Sequence, residues 1–76
     1  MSDPHMLDTR GLRCPLPVLK ARKILKTLPA GAELLVLADD PAALIDFPHF
    51  CNEAGHMLLA QGKTAGHLEF RIRKGG

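Results

Sequence analysis

Apolar and polar positions divide the chain into six short elements separated by glycine and proline. Residues 1–5 are expected to fray, and His5 to Thr9 reads as a strand with Leu7 turned inward. Gly11 opens a turn that delivers Cys14, and a helix follows from Pro15 to Leu28, stopped by Pro29-Ala30-Gly31. At a helical period, Val18, Ala21, Ile24, Leu25 and Leu28 form its core stripe. Leu16 and Leu19 fall outside that stripe, among Arg22, Lys23 and Lys26. Glu33 to Ala38 holds the unbroken run LLVLA, which predicts a central strand covered on both faces or nearly so. A second helix should start at Asp39-Asp40-Pro41 with Asp40 as its N-cap, break or restart at Pro48, and end near Gly55. His56 to Gln61 reads as a third strand, Lys63-Thr64-Ala65-Gly66 as a turn, and His67 to Lys74 as a strictly alternating fourth strand.

The order β-α-β-α-β-β predicts an α/β fold of the α+β two-layer kind. Its four-stranded mixed sheet should carry both helices on one face. Residues 1–76 make one domain, with residues 75 and 76 expected to form a flexible tail. A core of this size leaves little room for an active site assembled from many parts.

Composition narrows the functional classes. Three Phe, with no Trp or Tyr, leave few rings for stacking on bases, so aromatic-driven RNA binding is disfavoured. Two cysteines cannot build a secreted disulfide framework, and neither a signal-peptide pattern nor a membrane-spanning apolar run is present. A reducing, cytoplasmic setting is expected. The net charge is only +2, yet no acidic residue stands between Asp8 and Glu33. Six of the ten basic residues, Arg10, Arg13, Lys20, Arg22, Lys23 and Lys26, fall in that interval. Such clustering fits an acidic partner surface or nucleic acid, or simply a solvated helix face.

Cys14 opens the stretch CPLPV, where a thiol invites two explanations: packing, or chemistry at a helix end. With the helix beginning at Pro15, Cys14 would be its N-cap, and Pro15 and Pro17 would sit where no intrahelical bond is lost. A helix N-terminus favours a thiolate, but the two prolines remove two N–H donors. Only Leu16 would keep a free first-turn donor beyond the amide of Cys14, so modest acidification is predicted, helped mainly by Arg10 and Arg13. An unshifted thiol would still be about 10% ionised near pH 7.5. In a Cys-x-x-Cys redox motif a resolving cysteine would follow three residues on, and here Pro17 occupies that place. A persulfide on Cys14 would lack a neighbouring thiol to expel its outer sulfur, and the site looks built to hold sulfur.

Cys51, among Phe47, Phe50 and Ala54, reads as an inert buried thiol. Zinc binding by Cys14, Cys51, His49, His56 and His67 is disfavoured because their spacing matches no paired ligand pattern. His56 reads as structural or surface.

The stretch LDTRGLRCPLP, the later ADDP, the GH at the third strand and the final RIRKGG together resemble the TusA (SirA-like) family of sulfur carriers. The likeness runs from Leu7 to the last glycine. It implies the β-α-β-α-β-β sandwich and a cytoplasmic sulfurtransferase whose nucleophile is Cys14, supported by Arg10, Arg13, Pro15 and Pro17. It further implies a cysteine desulfurase as donor, a downstream relay protein as acceptor and, in the end, 2-thiolation of wobble uridine in tRNA. Molybdenum-cofactor synthesis and sulfur oxidation are the other routes that such carriers serve. Leu16, Leu19, Arg22, Lys23, Lys26 and Asp40 are the expected docking residues. The chain is expected to be a monomer without membrane association, direct tRNA binding, metal or cofactor, its only covalent cargo a transient cysteine persulfide.

Two rival functions remain. Gly75-Gly76 is similar to the end of ubiquitin-like carriers, which hold sulfur as a terminal thiocarboxylate, although those open with a hairpin before their helix. The basic helix would also suit a nucleic-acid or regulatory binding module.

Overall fold

Leu68, Phe70 and Ile72 are buried while Arg71 and Arg73 are exposed, so the alternation read from the sequence gives the last strand one apolar and one polar face. The computed structural model describes residues 4–75. Along the chain run β1 (His5–Asp8), α1 (Leu16–Thr27), β2 (Glu33–Ala38), α2 (Ala43–Ala54), β3 (Met57–Thr64) and β4 (His67–Arg73). The sheet order is β1-β2-β4-β3: β1 and β2 are parallel, and β4 is antiparallel to both β2 and β3. This is the predicted mixed sheet with two helices. No described helix is long and apolar enough to cross a membrane.

The core lies between the helices and the inner face of the sheet. Leu34, Val36 and Ala38 of β2 meet Ala21 and Leu25 of α1 and Ala43, Phe47 and Cys51 of α2 in one buried cluster. Phe47 stacks on Phe70 with ring centroids 4.6 Å apart. On the outer face Leu37 is buried and Leu35 half-buried, so β2 is nearly but not fully covered.

Several boundaries differ from those read off the sequence, each for a local reason. Helix α1 starts at Leu16 with Pro15 in the cap position, so Cys14 stands outside the helix. Its stripe is centred on Pro17, Ala21 and Leu25, with Val18 and Ile24 half-buried at its margins. Pro17 can be buried there because a first-turn residue needs no N–H partner.

Helix α2 is continuous through Pro48 and starts at Ala43 rather than at Pro41. The buried Ala43, Phe47 and Cys51, one turn apart, anchor it on both sides of the proline. The carbonyl that Pro48 leaves unpaired, that of Leu44, belongs to an exposed turn. With α2 starting at Ala43, Asp40 is not the expected N-cap, a position that Ala42 takes without a side-chain cap. Asp40 instead forms the turn before the helix, its Oδ1 accepting the Ala42 N–H and its carbonyl the Ala43 N–H, both at 3.0 Å.

Strand β1 ends at Asp8, and β3 runs on to Thr64, where Thr64 pairs with His67. The hairpin loop is thereby only Ala65-Gly66, both at positive φ as a two-residue turn of the I′ kind requires. Gly75 is held as well, donating its N–H to His56 Nδ1 at 3.0 Å. Its backbone passes so close to the Gly55 carbonyl that a Cβ would fall 1.8 Å from that oxygen. The expected flexible tail therefore does not include Gly75, and Gly76 and residues 1–3 lie outside the described residues.

Candidate functional site

Cys14 is exposed at the end of the β1–α1 loop, and that loop is pinned along its length. At its start, buried Thr9 donates both its N–H and its hydroxyl to the Leu37 carbonyl of β2. Leu12 then turns back, its N–H donating to the Thr9 carbonyl at 3.1 Å. Gly11, at φ +85, donates its N–H to both carboxylate oxygens of Asp39 at 3.0 and 3.1 Å. Cys14 donates its own N–H to Asp40 Oδ2 at 2.8 Å. The adjacent acids at the end of β2 thus clamp the loop at two points, and the bond to Cys14, with that to Ala42, holds the Asp40 carboxyl below the usual range. The Cys14–Pro15 peptide bond is cis.

The thiol faces α2. Its S–H donates to Asp46 Oδ2, 2.7 Å away, and Asp46 sits in the first turn of α2, where an acidic side chain suits the helix end. Beside it lies a recess of about 260 Å³ walled by Pro15, Val18 and Phe50 and rimmed by Asp46, His49 and Glu53. Of these, His49 Nε2 and Glu53 Oε1 form their own pair at 3.0 Å.

This environment reverses the acidification expected from a helix-end cysteine. The thiol is pushed above its ordinary value, first by the bond to Asp46, then by partial desolvation and the charges of Asp46 and Asp40. Both counted donors are engaged elsewhere: the Leu16 N–H bonds to the Arg13 carbonyl at 2.8 Å and the Cys14 N–H to Asp40. Arg10 does not support the thiol. Its guanidinium grips Asp8 at 2.8 and 3.0 Å and holds that carboxyl at about 2. Arg13 is exposed in the loop, and its charge acts on Asp40.

Leu16, Leu19, Arg22, Lys23 and Lys26 are all exposed on the outer side of α1, the two leucines at 45% and 50%. Asp40 is half-buried and commits both carboxylate oxygens to the backbone of its own chain. Cys51 is 2% exposed, and burial pushes its thiol up to about 11. His56 lies at the far end of α2 against Phe50, centroids 5.6 Å apart, and is bonded to Gly75. His67 pairs with Glu69 at 2.9 Å. Among the described residues, no group of three or more His, Cys, Asp or Glu could hold a metal ion.

Sequence reasoning missed Asp39 and Asp46. Asp39 was legible only as part of the ADDP string. Asp46, 32 positions from the cysteine it touches, carries no local signal.

Known proteins share this fold. A crystal structure of a SirA-like protein from Desulfitobacterium hafniense superimposes with a TM-score of 0.81 at 29% identity, covering 93% of this chain and 97% of the other. The family model described as Sulfurtransferase TusA matches residues 5–74, which include Cys14, both helices and the whole sheet. With the match spanning the fold from its first strand to its last, the chain belongs to the TusA family of sulfurtransferases.

Proposed function

We propose that the chain carries sulfur as a persulfide on Cys14, taking it from a cysteine desulfurase and passing it to a downstream relay protein that serves 2-thiolation of tRNA wobble uridine. The observation that carries this reading is an exposed thiol on a pinned loop with no second thiol in reach. Pro17 stands at the resolving position, and Cys51 is buried in the core. In the transfer, Cys14 Sγ attacks the outer sulfur of the donor persulfide. A new S–S bond forms on Cys14 as the donor's own S–S bond breaks, and the donor cysteine leaves as a thiolate that takes up the proton lost by Cys14. The sulfane sulfur changes hands without net oxidation.

Intact mass spectrometry after incubation with desulfurase and cysteine tests the proposal. One reductant-labile sulfur atom should appear, and Cys14→Ser should carry none while keeping its fold. A serine variant that still gains sulfur overturns the assignment. Sulfur that survives reductant would point instead to a terminal thiocarboxylate.

A further inference from the structure

The recess beside Cys14 holds a contact that the sulfur-carrier reading does not require: a carboxylate bonded directly to the reacting atom. We propose that Asp46 is a restraining residue that keeps the resting Cys14 as a neutral thiol and so makes it sluggish toward small dissolved electrophiles. The inference concerns the same cysteine as the carrier reading but does not depend on sulfur transfer.

The physical basis is the geometry at Sγ. The bond to Asp46 Oδ2 exists only while sulfur keeps its proton, and losing that proton would bring two negative groups into contact. Among the described residues, nothing else facing the thiol reverses this balance. Asp46, His49 and Glu53 approach from α2 and Asp40 from the β2–α2 connection, while Arg13 precedes Cys14 in its own loop. The first turn of α1 presents Leu16, Pro17 and Val18, none of them charged. Among the described residues, no lysine or arginine pairs with Asp46. Because the site is exposed, the restraint should be moderate and weakened by salt.

Alkylation by iodoacetamide across a pH series, with the label located by peptide mapping, tests the proposal without any sulfur donor. Asp46→Asn should lower the reaction midpoint and speed labelling at neutral pH about threefold, the gain in thiolate being partly offset by its weaker nucleophilicity. Asp46→Glu, which keeps the charge, should stay nearer the wild type. Should the asparagine variant misfold, Asp46→Ser, which also removes the charge, takes its place with the same direction expected; in the wild type the Cys14 midpoint should lie above that of the same cysteine in urea. A midpoint unchanged or raised in Asp46→Asn, or a native midpoint at or below the unfolded one, overturns the proposal. If desulfurase loads no variant while the midpoints move as stated, the carrier reading fails and the restraint stands.

Discussion

One substitution applied at two positions should give opposite results. Cys14→Ser is expected to abolish sulfur uptake and leave the fold intact, because Cys14 is exposed and a hydroxyl can donate to Asp46 as the thiol does. Cys51→Ser should do the reverse. Cys51 is 2% exposed and shares its stripe with Ala43 and Phe47, so truncation to alanine leaves a small void. By analogy with loss of one methylene, Cys51→Ala should cost about 1 kcal/mol, or roughly 4–8 °C in Tm for a domain of this size. Serine fills part of that space but adds a desolvated hydroxyl, only partly relieved by back-bonding to the Phe47 carbonyl one turn earlier; about 2 kcal/mol follows. The expected order of Tm by circular dichroism is therefore wild type close to Cys14→Ser, then Cys51→Ala, then Cys51→Ser. Mass spectrometry of the same samples should find sulfur on both Cys51 variants. A Cys51→Ser protein as stable as Cys51→Ala would refute the burial reasoning, and a folded Cys51→Ala protein that takes no sulfur would refute the chemical one.

Two further outcomes follow from polar contacts and surface charge. His56 Nδ1 accepts the Gly75 N–H only while unprotonated, and burial together with the nearby Lys74 holds this histidine below its ordinary 6.5. The unfolded chain therefore binds the proton first: the stabilisation is complete above that ordinary value and is lost as pH falls through the lowered one. Urea unfolding at pH 7.5 and 5.5 should show a steeper loss in the wild type than in His56→Ala, and equal slopes would dismiss the contact. At the outer side of α1, joint reversal of Arg22 and Lys26 to glutamate should weaken desulfurase binding, most strongly at low ionic strength, where long-range attraction is least screened. Titration by calorimetry showing equal affinity at low salt would remove those residues from the docking surface.

The order and type of all six elements were legible because each rests on a local period. Strict alternation over His67 to Arg73 marks a strand with one apolar face, and the i, i+4 repeat of Ala21 and Leu25 marks a buried helical stripe. Glu33–Ala38 was bounded correctly since charged and turn residues flank an apolar run too short for a helix. Prolines misled at both helices. Pro15 looked like a first helical residue but caps instead, and Pro48 looked like a break but lies inside α2. Whether an interior proline ends a helix depends on where the orphaned carbonyl points and on what the flanking turns bury. Those are tertiary properties, and Phe47 against Phe70 settles them here.

The candidate site divides along the same line. Cys14 could be picked out because its neighbours in sequence, Pro15 and Pro17, forbid a second thiol and fix a helix end. Its reactivity could not, since that depends on groups brought in from elsewhere. Helix-end reasoning assumes first-turn N–H groups free to face an anion, but Arg13 and Asp40 have engaged them. It also counts basic residues near in sequence, yet Arg10 is turned away onto Asp8. The local charges at Sγ come from Asp40 and Asp46, 26 and 32 positions on, and they act in the opposite direction. Two effects of these acids are separable: Asp40 holds the backbone of Cys14 and so its position, whereas Asp46 holds the sulfur and so its protonation. On the two proposed readings together, a thiol held in place but kept protonated would discriminate by access: a donor that docks would bring its persulfide against Sγ for long enough to react, while a freely diffusing electrophile would meet a poor nucleophile at each encounter.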